Sequence, residues 1–214
     1  MGKFDLSRVD IYLKGFVLYS KTAIGSVDYE KEISTAKDFE SLATKSSFKT
    51  IENDELHYLI KRYFSIPRNI GNRFFLKKDY YIRELLKTTP IATFKSELLL
   101  LLYGKEELRI RWDRFMAKVK RMDSYNTSIL LSYTFPDRYS LWPYKLFHIL
   151  DKLKIFSSIE TDNLKRKYNK ASGKDYSRIL DFMGSLKNYL QRCNLGKVDY
   201  LRTITFIYYL NSKK

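Results

Sequence analysis

A chain of 214 residues with only eight glycines and four prolines has few places at which it can turn sharply. A many-stranded sheet needs such residues at every tight reversal, whereas a helix needs one stop signal. The fold expected is therefore all-α or mainly α. It reads as one compact multi-helix domain over residues 51–214, with an N-terminal accessory segment, residues 1–50, packed onto it. In that first segment Val9 to Tyr19 suits a short helix or a strand equally, so a short strand pair stays open there. Asp28 to Ala43 has helical spacing, and the Ser/Thr-rich residues 41–50 read as a loop.

From residue 51 onward the punctuation supports about eight helices with short connections. Asn53 or Asp54 caps a helix that Pro67 ends, and Lys77 to Lys87 stops before Pro90. Thr93 caps an apolar helix ending at Gly104, and Glu106 to Met122 forms a long charged one. Thr127 to Phe135 is closed by Pro136, and Pro143 sits in the first turn of the next helix. Tyr176 to Cys193 and Val198 to Leu210 complete the order.

Charge is the second constraint. The net charge is +16, and it is unevenly placed. Residues 1–60 carry 8 Lys/Arg against 10 Asp/Glu, and residues 61–214 carry 32 against 14. An excess of this size repels itself unless a polyanion relieves it, which points to nucleic acid ahead of a membrane surface. The five leucines of Leu98 to Leu102 are far too few to span a bilayer, which takes roughly 20 apolar residues. Met1 to Asp5 opens no apolar signal segment, and the lone Cys193 suits a reducing compartment, so a soluble cytoplasmic protein is expected.

Four clusters could carry nucleic-acid contacts. Arg111, Arg114, Lys118 and Arg121, beside Arg109, follow one helical face and would make a cationic stripe about 15 Å long. Arg68, Asn69, Asn72 and Arg73, flanked by Lys61, Arg62, Lys77 and Lys78, surround a Pro/Gly turn and are of the types that read guanine and adenine edges. Arg138, Tyr139, Trp142, Tyr144 and Lys145 mix cations with rings able to stack on an unpaired base, although core packing is the stronger reading for Tyr139 and Trp142. Lys165, Arg166 and Lys167, with Lys170 and Lys174, form a basic run between two helices that could anchor phosphates.

Residues from about Glu97 to Leu153 have a recognisable order: Leu99 to Gly104, then Arg111-Trp112-Asp113-Arg114-Phe115, then Ser128 to Pro136, then Arg138-Tyr139-Ser140-Leu141-Trp142. This order resembles a helical module of McrB-type and other modification-dependent restriction systems. Asp199 followed by Phe206 to Tyr209 is similar to the aromatic end of that module. The resemblance implies a DNA-recognition part of a prokaryotic restriction or defence system, with an AAA+ or nuclease partner subunit or domain. A wider likeness to helix-hairpin-helix DNA glycosylases lacks what that chemistry needs. Met122 to Thr127 has no glycine for the hairpin, and no carboxylate stands at Trp142 to Lys145.

No catalytic constellation is legible. There is no phosphate-binding Gly-rich loop, no metal spacing around His57, His148 or Cys193, and no triad spacing around Asp123 or Asp151. Asp28 with Glu30 and Lys31 comes nearest to a nuclease pattern. The expectation is a non-catalytic DNA-binding module without a cofactor, with an RNA-binding protein or a nuclease or glycosylase as the alternatives.

Overall fold

The computed structural model describes residues 4–42, 44–63, 78–193 and 195–213. Among the described residues every regular element is helical. They are α1 (Asp10–Ser20), α2 (Ala23–Leu42), α3 (Lys45–Thr50), α4 (Asn53–Tyr63), α5 (Lys78–Thr88), α6 (Ile91–Tyr103), α7 (Leu108–Lys118), α8 (Ser124–Thr134), α9 (Leu146–Leu153), α10 (Ser158–Lys167), α11 (Gly173–Leu190) and α12 (Tyr200–Ser212). Short 3-10 turns occupy Ser7–Val9 and Tyr168–Lys170. The all-α expectation holds, and the strand pair left open for the first segment does not occur among the described residues.

Local capping explains most boundaries. Ser157 and Ser172 each accept a bond from the backbone three residues on, while Glu160 and Asp175 reach back to the cap, which closes a reciprocal box at the start of α10 and of α11. Asp123 and Asp199 cap α8 and α12 by accepting from Asn126 N and Arg202 N, each at 2.7 Å. Within 41–50, Lys45–Thr50 is a helix rather than a loop, because Thr44 accepts from Ser47 N at 3.1 Å and Phe48 is fully buried. At α6 the cap is Pro90 and not Thr93. The preceding Thr89 is buried and accepts from Lys120 N at 2.9 Å, which ties the end of α5 to the exit of α7. Pro143 lies ahead of α9, where its carbonyl accepts from Leu146 N at 2.9 Å in a lead-in turn.

The core is organised around three buried rings. Trp112 of α7 lies flat on Tyr176 of α11, with centroids 4.2 Å apart and planes 12° apart. Trp142, from the connection before α9, covers the same tyrosine at 6.2 Å. The polar atoms of the first two rings are paired: Trp112 Nε1 donates to Ala171 O at 2.9 Å, and Tyr176 Oη donates to Ser140 O at 2.7 Å. Close helix contact is needed here. A Cβ at Gly173 would collide with the carbonyl oxygen of Arg109, so α11 can start against α7 only with glycine at that position.

The first fifty residues are part of this core and not an outlying layer. Phe16 of α1 meets Phe206 of α12 at 4.8 Å, and Tyr19 meets Tyr209 at 5.2 Å. From α2, Tyr29 Oη donates to Asp199 Oδ2 at 3.0 Å, under the Arg202 guanidinium 3.6 Å from its ring. Glu32 accepts from Tyr133 Oη of α8. Phe16, Phe39 and Phe48 are buried in the same hydrophobic cluster as Trp112.

One cap carries a pH dependence. Burial pushes the Asp123 carboxyl up to about 6, against the pull of the Asn126 and Tyr125 amides. The folded protein then holds this proton more tightly than the unfolded chain does. Its stabilisation is present below the ordinary carboxylate range and is lost as pH rises through about 6. Asp123→Asn keeps a capping oxygen and removes the titration. The variant is expected to gain stability relative to the native protein between about pH 4 and about pH 8, read from urea midpoints at the two values. An equal difference at both would show that the cap does not titrate in this range.

Candidate nucleic-acid interface

The surface most suited to a polyanion is built where α10 runs into α11. Leu164, Tyr168 and Ala171 point inward at helical spacing and are buried. That leaves Arg166, Lys167 and Lys170 outward and exposed, with Lys165 half-buried among them. The capping box at Ser172 then starts α11, and Gly173 N donates to Asp113 Oδ1 at 2.7 Å, which sets exposed Lys174 beside the start of α7. Between Asp162 and Asp175 the chain carries five cations and no carboxylate. Lys165 is paired with Asp151 at 2.7 Å and Asp162 at 3.5 Å, which holds its ammonium above the usual range. Arg166 donates to Asn163 Oδ1 at 2.8 Å. Among the described residues no carboxylate pairs with Lys167, Lys170 or Lys174.

An exposed ring stands next to this ridge. Tyr144 is 50% exposed, yet its ring is fixed edge-on by two neighbours, Phe147 at 5.4 Å and Tyr168 at 5.5 Å. Tyr168 is itself anchored, since its hydroxyl donates to Trp142 O and its ring meets Trp142 at 5.5 Å. The basic ridge and the aromatic turn, far apart in sequence, therefore share one joint at Tyr168. Lys145 follows Tyr144 and is half-buried at the lead-in to α9.

The stripe expected on α7 does not form. The helix ends at Lys118, so Arg121 lies beyond it, in the left-handed region at φ 68°, with Glu84 4.0 Å away. Arg111 is only 7% exposed. Its guanidinium donates to Glu106 O at 2.9 Å, to Leu101 O and to Tyr139 Oη at 3.2 Å, closing the end of α6 onto α7. Arg114 makes a two-pronged pair with buried Glu97 at 2.9 and 3.3 Å, which raises its pKa further. Only Lys118 of the four stands exposed on α7 without such a role.

The remaining candidates separate in the same way. Trp142 is fully buried in the ring column and cannot receive a base. Tyr139 is half-buried, with its hydroxyl accepting from Arg111 and its ring against Phe135 at 6.0 Å. Arg138 is exposed, with its guanidinium 5.6 Å from the Phe135 ring. Arg68, Asn69, Asn72 and Arg73 lie outside the described residues. Among the described residues no group of three His, Cys, Asp or Glu could hold a metal ion, and no helix is long and apolar enough to cross a membrane.

Comparison with protein-family models, curated proteins and solved structures finds no match. What this surface can do therefore rests on its own geometry and charge.

Arg111 is the sharpest test of which cations hold the fold. Arg111→Ala leaves backbone oxygens of Leu101 and Glu106 without a donor, and should lower the unfolding free energy by about 1–3 kcal/mol. Lysine, a point charge on a flexible stem, should not restore it. Urea unfolding of both variants checks this, and a native-like midpoint for either would show the clamp to be dispensable.

Proposed function

We propose that this protein is a non-catalytic nucleic-acid-binding module whose contact surface is the basic ridge from Lys165 to Lys174. The observation that supports it is the presence of five cations and no carboxylate between Asp162 and Asp175 on an anchored helical scaffold. A ridge fixed by Leu164, Tyr168 and Ala171 presents its charges without first having to be ordered. Lys/Arg contacts to phosphates release condensed counterions and supply affinity without sequence information. The surplus of positive charge in residues 61–214 is relieved by the same contacts.

DNA is favoured over RNA as the target. The resemblance of residues 97–153 to the restriction-system module supports that preference. It also supports a place in target recognition within a prokaryotic restriction or defence system, beside an AAA+ or nuclease partner.

Fluorescence anisotropy with duplex DNA, methylated duplex DNA, single-stranded DNA and RNA of one sequence, across a salt series, tests the reading. Log affinity should fall linearly with log salt. The triple variant Lys167→Ala, Lys170→Ala, Lys174→Ala should bind more weakly. Its slope should be shallower by up to about 2.7, near 0.9 for each phosphate that a lysine no longer neutralises. Absence of binding to every probe at about 150 mM salt would overturn the proposal, and a clear RNA preference would replace DNA as the target.

A further inference from the structure

Resting on that reading of the ridge, we infer that Tyr144 is a stacking platform for an unpaired base, so that the surface takes single-stranded nucleic acid in preference to duplex. Three features of the ring point this way. Tyr144 is 50% exposed, beside a column in which Trp142 is fully buried. Its orientation is nevertheless set, because Phe147 and Tyr168 hold it at interplanar angles of 74° and 68°. Among the described residues its hydroxyl has no hydrogen-bond partner, so no polar contact inside the protein accounts for where the ring stands. An exposed ring with two packing neighbours loses little freedom when a third ring lies on it.

Location decides what that third ring is. Tyr168, which fixes Tyr144, lies between Lys167 and Lys170 in sequence and points inward while they point out. A strand whose phosphates follow Lys167 and Lys170 is thereby led past the tyrosine, which Lys145 follows in sequence. In a duplex the faces of the bases are covered by their neighbours, and only their edges are open. A protruding tyrosine face has nothing to stack on there. An unpaired base offers a free face, and every base has one, so the contact is indifferent to sequence.

The test compares one labelled oligonucleotide, single-stranded and as its duplex, at the same salt. Native protein should bind the single strand more tightly. Tyr144→Ala should weaken single-strand binding by about 5- to 150-fold and change duplex binding by less than about twofold. Tyr144→Phe, which keeps the ring, should stay within about twofold of native protein on both probes. Unchanged single-strand binding by Tyr144→Ala would overturn the inference. So would an equal loss on both probes accompanied by a lower Tm, which would make the ring a prop for the ridge. The lysine triple variant distinguishes the two levels. If it weakens both probes while Tyr144→Ala weakens neither, only the stacking site fails; if it too binds like native protein, the ridge itself is not the contact surface.

Discussion

Trp112 lying flat on Tyr176 sets the crossing of α7 over α11, and the rest of the second half is hung from that crossing. Two large rings at van der Waals distance remove a great deal of apolar surface from water, and their polar atoms would oppose burial if left alone. Here each has a backbone acceptor, Ala171 O for the indole and Ser140 O for the phenol. Those acceptors fix two connecting segments, the one entering α11 and the one leading to Trp142. Trp142 then closes the column and presents its carbonyl to Tyr168, and Tyr168 in turn fixes Tyr144. A dry central contact thus determines, through two successive aromatic residues, where an exposed ring stands at the surface.

The cations divide by chemistry. Four arginines are engaged in the architecture: Arg111 on backbone carbonyls, Arg114 on Glu97, Arg178 on Glu160 at 2.7 Å, Arg202 over Tyr29. A planar fork suits fixed acceptors and rings, and it loses less freedom for each bond it makes. Lys167, Lys170 and Lys174 of the ridge are exposed and pair with no carboxylate among the described residues, and a mobile ammonium there can follow a phosphate. Net charge alone does not reveal this division, because it counts a clamped guanidinium and a free ammonium alike.

The fold class was legible in the scarcity of glycine and proline, and the Ser157 and Ser172 boxes mark helix starts that local chemistry alone explains. Other features were not legible, each for a physical reason. The α7 stripe assumed a helix through Arg121, but the chain turns away at Val119 to meet Thr89, a contact between distant segments. Arg111 and Lys118 look equivalent by spacing, and only the neighbouring end of α6 makes one of them a buried clamp. The pairing of Tyr144 with the ridge passes through Tyr168 and Trp142, so no local periodicity encodes it. Residues 1–50 looked peripheral because their apolar positions match partners far along the chain, chiefly on α12.

That last pairing imposes an order in time. Tyr29 cannot reach Asp199, nor Phe16 reach Phe206, until α12 has been made. At roughly 5–20 residues per second, α1 and the Tyr29 face of α2 wait on the order of 10–35 s on the ribosome for the α12 surface they pack against. The arrival of α12 is therefore the event that closes this fold, when its earliest-made helices are sealed by a much later one.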